Sequence, residues 1–105
     1  MSRLDECIET WSDCLKIFES TLHIYHEHEA SFKAWEAAIK KAHMENKVSG
    51  IMADVLLKTH DDWERRYLDV QKYSIKSEMA KKRLRLAEAS WETERSKEVS
   101  LRNVK

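Results

Sequence analysis

The chain contains no proline and only one glycine, Gly50. Because these two residues most strongly interrupt helices, almost the whole chain is free to be helical. The one cluster of turn-forming residues is Asn46-Lys47-Val48-Ser49-Gly50, near the middle of the chain. Asn and Gly readily end a helix in the left-handed conformation, and Ser49 is a good N-cap for a second helix. The sequence therefore predicts helices over about 3–46 and 51–100, joined by a turn at 47–50.

In the first half, apolar residues recur at alternating spacings of four and three, the heptad pattern of helices packed along one seam. The pattern meets the polar Glu29, and Ser31 could cap a new start there, so a continuous helix and a break near residues 28–31 both fit. The members of this set are Leu4, Ile8, Trp11, Leu15, Phe18, Leu22 and Tyr25.

The second half carries a matching apolar set. Folding at the turn would pair Tyr25 with Tyr73, Phe18 with Ala80 and Trp11 with Ala87, so that large residues often face small ones. The members of this set are Met52, Leu56, Trp63, Val70, Tyr73, Ala80, Leu84, Ala87 and Trp91.

Charge favours the same antiparallel pairing. Residues 1–30 carry 2 basic and 7 acidic side chains, whereas residues 71–105 carry 10 basic and 5 acidic ones. An antiparallel hairpin lays the acidic third beside the basic third. The sequence thus predicts an all-α fold, a long, coiled-coil-like antiparallel two-helix hairpin that forms a single domain over 1–105.

A second apolar face lies roughly opposite the first on the second helix. Two opposed apolar faces imply burial on two sides, and a two-helix hairpin has little core of its own. A homodimer forming a four-helix bundle is the favoured explanation; a different protein partner, or a short third helix over residues 31–46, would also cover the face. The predicted partner or oligomer interface consists of Leu57, Leu68, Ile75, Met79 and Leu86.

The strongest basic run of the sequence is Lys81, Lys82, Arg83 and Arg85. Such a run could contact nucleic-acid phosphates, in which case binding should be weak and independent of base sequence. A solvated helix face that pairs with Glu9 and Asp13 across the hairpin explains the run as well, and zero net charge favours that explanation.

Residues that could carry chemistry do not form a recognisable catalytic or metal-binding motif. His23 and Glu27 are one helical turn apart and could share a metal, but nothing supplies the remaining ligands, so surface histidines (with His26 and His28) are favoured. Cys7 and Cys14 are expected to be reduced thiols. The sequence therefore predicts no catalytic residue, no metal, no cofactor and no enzymatic activity.

The predicted location is the cytoplasm. The first residues, Met1-Ser2-Arg3-Leu4-Asp5-Glu6, become acidic at once and lack the apolar segment of an export signal. No apolar stretch approaches the roughly 20 residues that a membrane-spanning helix needs, so no membrane partner is expected.

Three segments resemble short helical-hairpin proteins of bacteriophages and prophages, often encoded near recombination and replication functions. They are FKAWEAA at 32–38, KVS at 47–49 and AKKRLRLAEASWETERS at 80–96. The resemblance implies a phage accessory protein in a bacterial host, with a phage or host DNA-processing protein as partner. Those proteins tend to carry a basic residue after the tryptophan, where this chain has Glu92, which weighs against nucleic-acid contact.

Two other functions fit the sequence. One is inhibition of a host defence nuclease, such as a CRISPR effector or an exonuclease complex, by acidic side chains that mimic phosphates. The other is a purely structural homo-oligomer. The candidate phosphate mimics are Asp5, Glu6, Glu9, Asp13 and Glu19.

Overall fold

The computed structural model describes residues 2–104, and within that range it contains helices and no strand. The helices are α1 (Arg3–Glu45), α2 (Gly50–Lys58) and α3 (Trp63–Val104). The predicted all-α class is therefore confirmed.

Helix α1 is continuous from Arg3 to Glu45, so the break considered near residues 28–31 is absent. At its start, the Asp5 amide donates to Ser2 Oγ at 3.1 Å. The acidic residues of the first turn interact favourably with the positive end of the helix dipole. Across the polar interruption, Glu29 accepts a 2.6 Å hydrogen bond from the Tyr25 hydroxyl. A polar residue is thus accommodated in the helix without ending it.

The end of α1 is a Schellman motif. Lys47 has a φ of 67°, in the left-handed region, although it is not a glycine. The Val48 amide donates to His43 O at 3.2 Å and the Lys47 amide to Met44 O at 3.0 Å, which satisfies two of the last helical carbonyls. Immediately afterwards, Ser49 Oγ accepts from the Met52 amide at 3.2 Å and caps α2, as predicted.

The predicted single helix over 51–100 is wrong at residues 59–62, where the chain leaves α2 and restarts as α3. The Thr59 hydroxyl donates to Val55 O at 2.9 Å at the end of α2. The Asp62 amide then donates to His60 Nδ1 at 3.1 Å, and Asp62 Oδ1 lies 3.2 Å from Arg65 Nη2 at the start of α3. The Thr59 hydroxyl also lies 3.3 Å from Leu56 O, a carbonyl that an uninterrupted helix would pair with the His60 amide, and the His60 amide donates to Leu57 O at 3.1 Å instead.

The chain divides into two compact units. The turn unit is His23–Ile75, and the terminal unit comprises the described residues up to Leu22 and from Lys76 onward. In the turn unit His28 stacks on Tyr73 and Phe32 packs against Tyr67, with ring centroids 4.0 Å and 6.4 Å apart. Residue numbers rise on α1 as they fall on α3, so the two helices are antiparallel within this unit.

In the terminal unit Trp11 stacks on Trp91, with ring centroids 5.4 Å apart, and Arg3 Nε lies 3.4 Å from Glu94 Oε1. The helices are again antiparallel, but Trp11 meets Trp91 and not the predicted Ala87. The partner is one helical turn further along α3, because residues 59–62 add chain on that side without a counterpart on α1.

The seam of α1 is rotated from the predicted one. Cys7 and Cys14 are half-buried, whereas the predicted Ile8 and Leu15 are 42% and 40% exposed. Both choices fit a heptad, since each takes a spacing of three or four from its neighbours. A thiol needs less room than a branched side chain where two helices approach closely. The half-buried residues of the α1 seam are Leu4, Cys7, Trp11, Cys14, Phe18, Thr21 and Tyr25, and the predicted Leu22 is half-buried beside Thr21.

The facing seam of α3 contains several small residues. Its buried members are Val70, Ser77, Ala80 and Ala87, with Ser77 only 3% exposed. Tyr73 and Leu84 are half-buried between them, and Arg66, Trp91 and Glu94 continue the half-buried seam on either side. The spacing alternates between three and four residues throughout, so α3 has the same heptad packing as α1.

Candidate interaction surfaces

The outer stripe of α3, which we define as Leu68, Ile75, Met79 and Leu86, lies outside the seam. These side chains are 55%, 59%, 49% and 70% exposed. Because they sit at heptad positions opposite those of the buried residues, packing of α1 on α3 leaves them in solvent. The stripe is thus placed where a partner could reach it.

Leu57, the fifth residue of the predicted interface, does not belong to this surface. It is 5% exposed and packs inside the turn unit, next to the fully buried Ala53 one turn earlier. The prediction assumes one continuous helix over 51–100, and the interruption at residues 59–62 breaks the periodicity that places Leu57 with the outer stripe. Met52, predicted to lie in the seam, is instead 51% exposed.

One side of the terminal unit carries apolar residues from both helices. A groove of about 380 Å³ is lined by Arg3 and Cys7 of α1 and by Leu86, Thr93 and other residues of α3. Thr10 and Ile17 lie at seven-residue intervals after Arg3 and share its side of α1, just as Met79 shares the side of Leu86 on α3. Ile17 is 53% exposed. We call this surface the Leu86 face, formed by Thr10, Ile17, Met79, Leu86 and Thr93.

The predicted ion pairing across the hairpin is not found. Lys82, Arg83 and Arg85 are exposed and Lys81 is half-buried, but within residues 2–104 none of them forms an ion pair with Glu9 or Asp13. The pair between α1 and α3 in the terminal unit, Arg3 with Glu94, has the opposite polarity. Glu9, Asp13, Lys82, Arg83 and Arg85 are therefore available to a partner.

The acidic candidates share that accessibility. All five are exposed on the N-terminal half of α1, and none takes part in an ion pair with another described residue. The five are Asp5, Glu6, Glu9, Asp13 and Glu19.

The histidines near the middle of α1 do not converge. His23 Nε2 lies 2.9 Å from Glu27 Oε1, His26 stacks on Tyr25, and His28 stacks on Tyr73. Among the described residues, no group of three or more His, Cys, Asp or Glu side chains is placed to hold a metal ion.

The pKa of the Glu29 carboxyl group is shifted by its neighbours on α1. The Tyr25 hydroxyl donates to its carboxylate and, with a smaller contribution from Lys33 at 3.4 Å, holds the pKa of Glu29 below its ordinary value. Hydrogen bonds to the charged form favour that form. The effect is local to one turn of α1 and stabilises the helix at the polar interruption.

Sequence reasoning missed an aromatic cluster beside the α2–α3 break. Trp63 Nε1 donates to Glu36 Oε2 at 3.0 Å, and the Arg66 guanidinium lies 4.7 Å from the Trp35 ring centroid. The His60 ring meets Trp35 edge-on at 5.2 Å. Trp35 and Trp63 are 28 positions apart, and the signal that could have found them is the antiparallel register itself, since the pairing of Tyr25 with Tyr73 places the two tryptophans level with each other.

A second missed surface is the outer side of α2. Ile51 is 83% exposed and Val55 is 51% exposed, one turn apart. The signal was present in the sequence, since Asp54 and Lys58 are the only charged residues of GIMADVLLK. Because α2 buries Ala53 and Leu57 on one side, the apolar residues Ile51 and Val55 are left on the exposed side.

No known protein family matches the chain, and no curated protein or solved structure matches it either. None of the helices within residues 2–104 combines the length and apolar character needed to cross a membrane.

Proposed function

We propose that this protein is a non-enzymatic, phage-type accessory protein of the bacterial host cytoplasm. It acts by helix-mediated protein–protein binding and modulates an enzyme of DNA recombination or replication. The observation that carries the binding role is the imbalance between buried and exposed apolar residues. The identity of the partner rests on the resemblance to phage helical-hairpin proteins.

The imbalance is large for a chain of this size. Among the described residues, the buried apolar side chains are Ala53, Leu57, Val70, Ala80 and Ala87, and α1 has no buried residue. The outer stripe of α3 and the Leu86 face, in contrast, present aliphatic and thioether side chains to solvent. Small domains seldom obtain enough stability from so little buried area, and contiguous exposed apolar surface marks a binding site.

The experiment that tests this proposal is affinity capture from phage-infected or prophage-carrying cells, followed by mass spectrometry. The Leu68→Glu variant should lose a partner bound through the outer stripe, because a charge would be desolvated in the interface. Glu88→Ala, an exposed change on the same helix, is the matched control. Recovery of the same proteins with wild type and Leu68→Glu would remove the stripe from the binding site, and recovery of the protein alone would contradict the proposal.

A second candidate function is inhibition of a host defence nuclease. The favouring observation is the row of five exposed and unpaired acidic side chains on α1, which could occupy a nucleic-acid channel in place of phosphates. Replacing Glu6, Glu9 and Asp13 by glutamine should then abolish inhibition of a purified nuclease while leaving helicity unchanged. Full inhibition by the triple variant would contradict this candidate.

Direct DNA contact through Lys81, Lys82, Arg83 and Arg85 is tested separately by gel shift at two salt concentrations. Binding through phosphates must weaken steeply with salt, since counterions are released. A mobility shift that is absent even at low salt excludes this contact.

A further inference from the structure

We propose that the Leu86 face is a docking surface for a second copy of this chain, with α1 of each copy lying against α3 of the other. This inference rests on the proposed binding role and deepens it by naming one partner and one surface. It concerns the terminal unit alone.

The first argument is that the face is self-complementary along its length. At the register set by Trp11 and Trp91, Ile17 lies level with Leu86, and Thr10 lies level with Thr93, to within a residue. Ile17 and Leu86 thus form an apolar pair at one height along the helices, and Thr10 and Thr93 form a polar pair two turns away. A twofold axis parallel to the helices brings each level onto the same level of the other copy, so apolar side chains meet apolar ones.

The second argument comes from the charges that border the face. On α1, Asp13 precedes Ile17 by one turn and Glu6 precedes Thr10 by one turn, so both acids lie next to the apolar row. On α3, Lys82 precedes Leu86 by one turn and Arg83 follows Met79 by one turn. These four side chains are exposed and form no ion pair within the described part of the chain.

The charges of the side chains beside the face favour one orientation of the two copies. Residues 2–22 carry 2 basic and 5 acidic side chains, whereas residues 80–102 carry 7 basic and 4 acidic ones. Placing α1 over α1 of the second copy would oppose two segments of negative charge, and placing α1 over α3 opposes unlike charges. Since α1 and α3 are antiparallel within the unit, the second arrangement makes every neighbouring helix pair antiparallel, as in an up-down-up-down bundle.

The size of the face sets the expected strength. Twenty residues of helix span about 30 Å, and two packed helices are about 20 Å wide, which gives a footprint of roughly 600 Å². Stable interfaces bury roughly 800 Å² on each partner. The dimer is therefore expected to be concentration-dependent and, because of its charged borders, weaker at high salt.

Sedimentation velocity of the full chain over a concentration series tests this. Wild type should shift from monomer to dimer, and Leu86→Glu should raise the dissociation constant at least about tenfold, as should Ile17→Glu. Both sites are exposed, so circular dichroism should show unchanged helicity. The matched control is Ile51→Glu, an exposed apolar position in the turn unit, which should leave the dimer intact. A monomer at all concentrations, or a dimer that Ile51→Glu breaks and Leu86→Glu does not, overturns the proposal.

Orientation has its own test. Asp13→Lys should weaken the dimer several-fold more than Glu19→Lys, because Glu19 lies on the other side of α1. In a Cys7→Ala/Cys14→Ala background, chains with Thr10→Cys mixed with chains with Thr93→Cys should form a mixed disulfide. Preferential linkage of Thr10→Cys chains to each other would indicate α1 against α1 and overturn the orientation.

These outcomes are independent of the test by affinity capture. A chain that is monomeric but retains a cellular partner contradicts the second-copy inference and leaves the proposed function standing. A chain that forms the dimer and retains nothing else contradicts the proposed partner and leaves the inference standing.

Discussion

Trp11 of α1 and Trp91 of α3 stack with ring centroids 5.4 Å apart and an interplanar angle of 20°. The indole Nε1 of Trp91 is buried there without a hydrogen-bond acceptor in the described part of the chain. The pair thus fixes the register of the terminal unit by apolar contact, while one polar group bears a desolvation cost.

Because the Trp91 N–H is unpaired, two substitutions can separate what the ring contributes to stability from what the N–H group costs. Trp91→Phe keeps an aromatic ring and removes the unpaired N–H, so its loss of unfolding free energy should stay within about 1 kcal/mol. Trp91→Ala removes the stack and leaves a cavity, and should cost about 3 kcal/mol. Urea unfolding followed by far-ultraviolet circular dichroism measures both. Equal losses in the two variants would contradict the explanation, because the aromatic ring that Trp91→Phe retains would then contribute nothing to stability.

A substitution at Lys47 should stabilise the protein, because this residue has a left-handed backbone conformation. Its φ of 67° lies where a Cβ atom is disfavoured, at a cost of about 1 kcal/mol or more. Lys47→Gly should therefore raise the free energy of unfolding by about 1 kcal/mol, reduced by the greater freedom that glycine has in the unfolded chain. Lys47→Ala keeps the Cβ atom and should bring no gain. Thermal unfolding of the three proteins checks this, and an equal gain from alanine would contradict the conformational explanation.

The acidity of Glu29 should depend on Tyr25. The Tyr25 hydroxyl is the largest cause that lowers the pKa of Glu29 from 4.5, so Tyr25→Phe should raise that pKa toward its ordinary value. Lys33→Ala should raise it less. Carboxyl-selective NMR titration measures both shifts, and a larger effect of Lys33→Ala would reverse the assigned order of causes.

The sign of the pH effect follows from the same lowering of the pKa. A carboxyl group whose folded pKa is depressed stabilises the fold above the unfolded pKa, and that stabilisation is lost as pH falls through the folded value. The wild-type protein should thus lose stability on acidification below pH 4.5, and Tyr25→Phe should lose less over the same interval. Unfolding midpoints across this pH range test the difference.

Much of the fold was predictable because its signals are periodic or local. The heptads of α1 identified Trp11, Phe18 and Tyr25 as seam residues, and Ser49 was recognised as an N-cap. The choice of Cys7 over Ile8 was not predictable, since both spacings satisfy a heptad and hydrophobicity favours isoleucine. That choice depends on how closely the facing helix approaches.

The break at residues 59–62 escaped prediction for a different reason. It contains neither proline nor glycine, and its stabilising contacts are local: the Thr59 hydroxyl donates to Leu56 O, and the Asp62 amide donates to His60 Nδ1. Two differences from the prediction follow from it: Leu57 lies inside the turn unit and not on the outer surface, and Trp11 meets Trp91 and not Ala87. A single unrecognised stop thus changed both the candidate interface and the register.

The hydrogen bond from Trp63 to Glu36 should stabilise the start of α3 next to this break. Glu36→Ala leaves the indole N–H without its acceptor in a half-buried site and should cost about 1–2 kcal/mol. In the Trp63→Phe background, where there is no N–H to satisfy, the same change should cost clearly less. A double-mutant cycle from urea unfolding gives the coupling between them. Additive losses would show that the 3.0 Å bond does not stabilise the fold.

Charged substitutions at Leu15 and Leu84 should differ in their effect on stability, because only Leu84 lies in the observed seam. The sequence assigned both to the seam, but Leu15 is 40% exposed, whereas Leu84 is half-buried on the face of α3 that packs on α1. Leu84→Asp places a charge between the helices without a partner and should cost about 3 kcal/mol or more. Leu15→Asp leaves its carboxylate in solvent and should cost about 1 kcal/mol. Urea midpoints of the two variants decide the matter, because similar losses would indicate the originally predicted seam through Ile8 and Leu15.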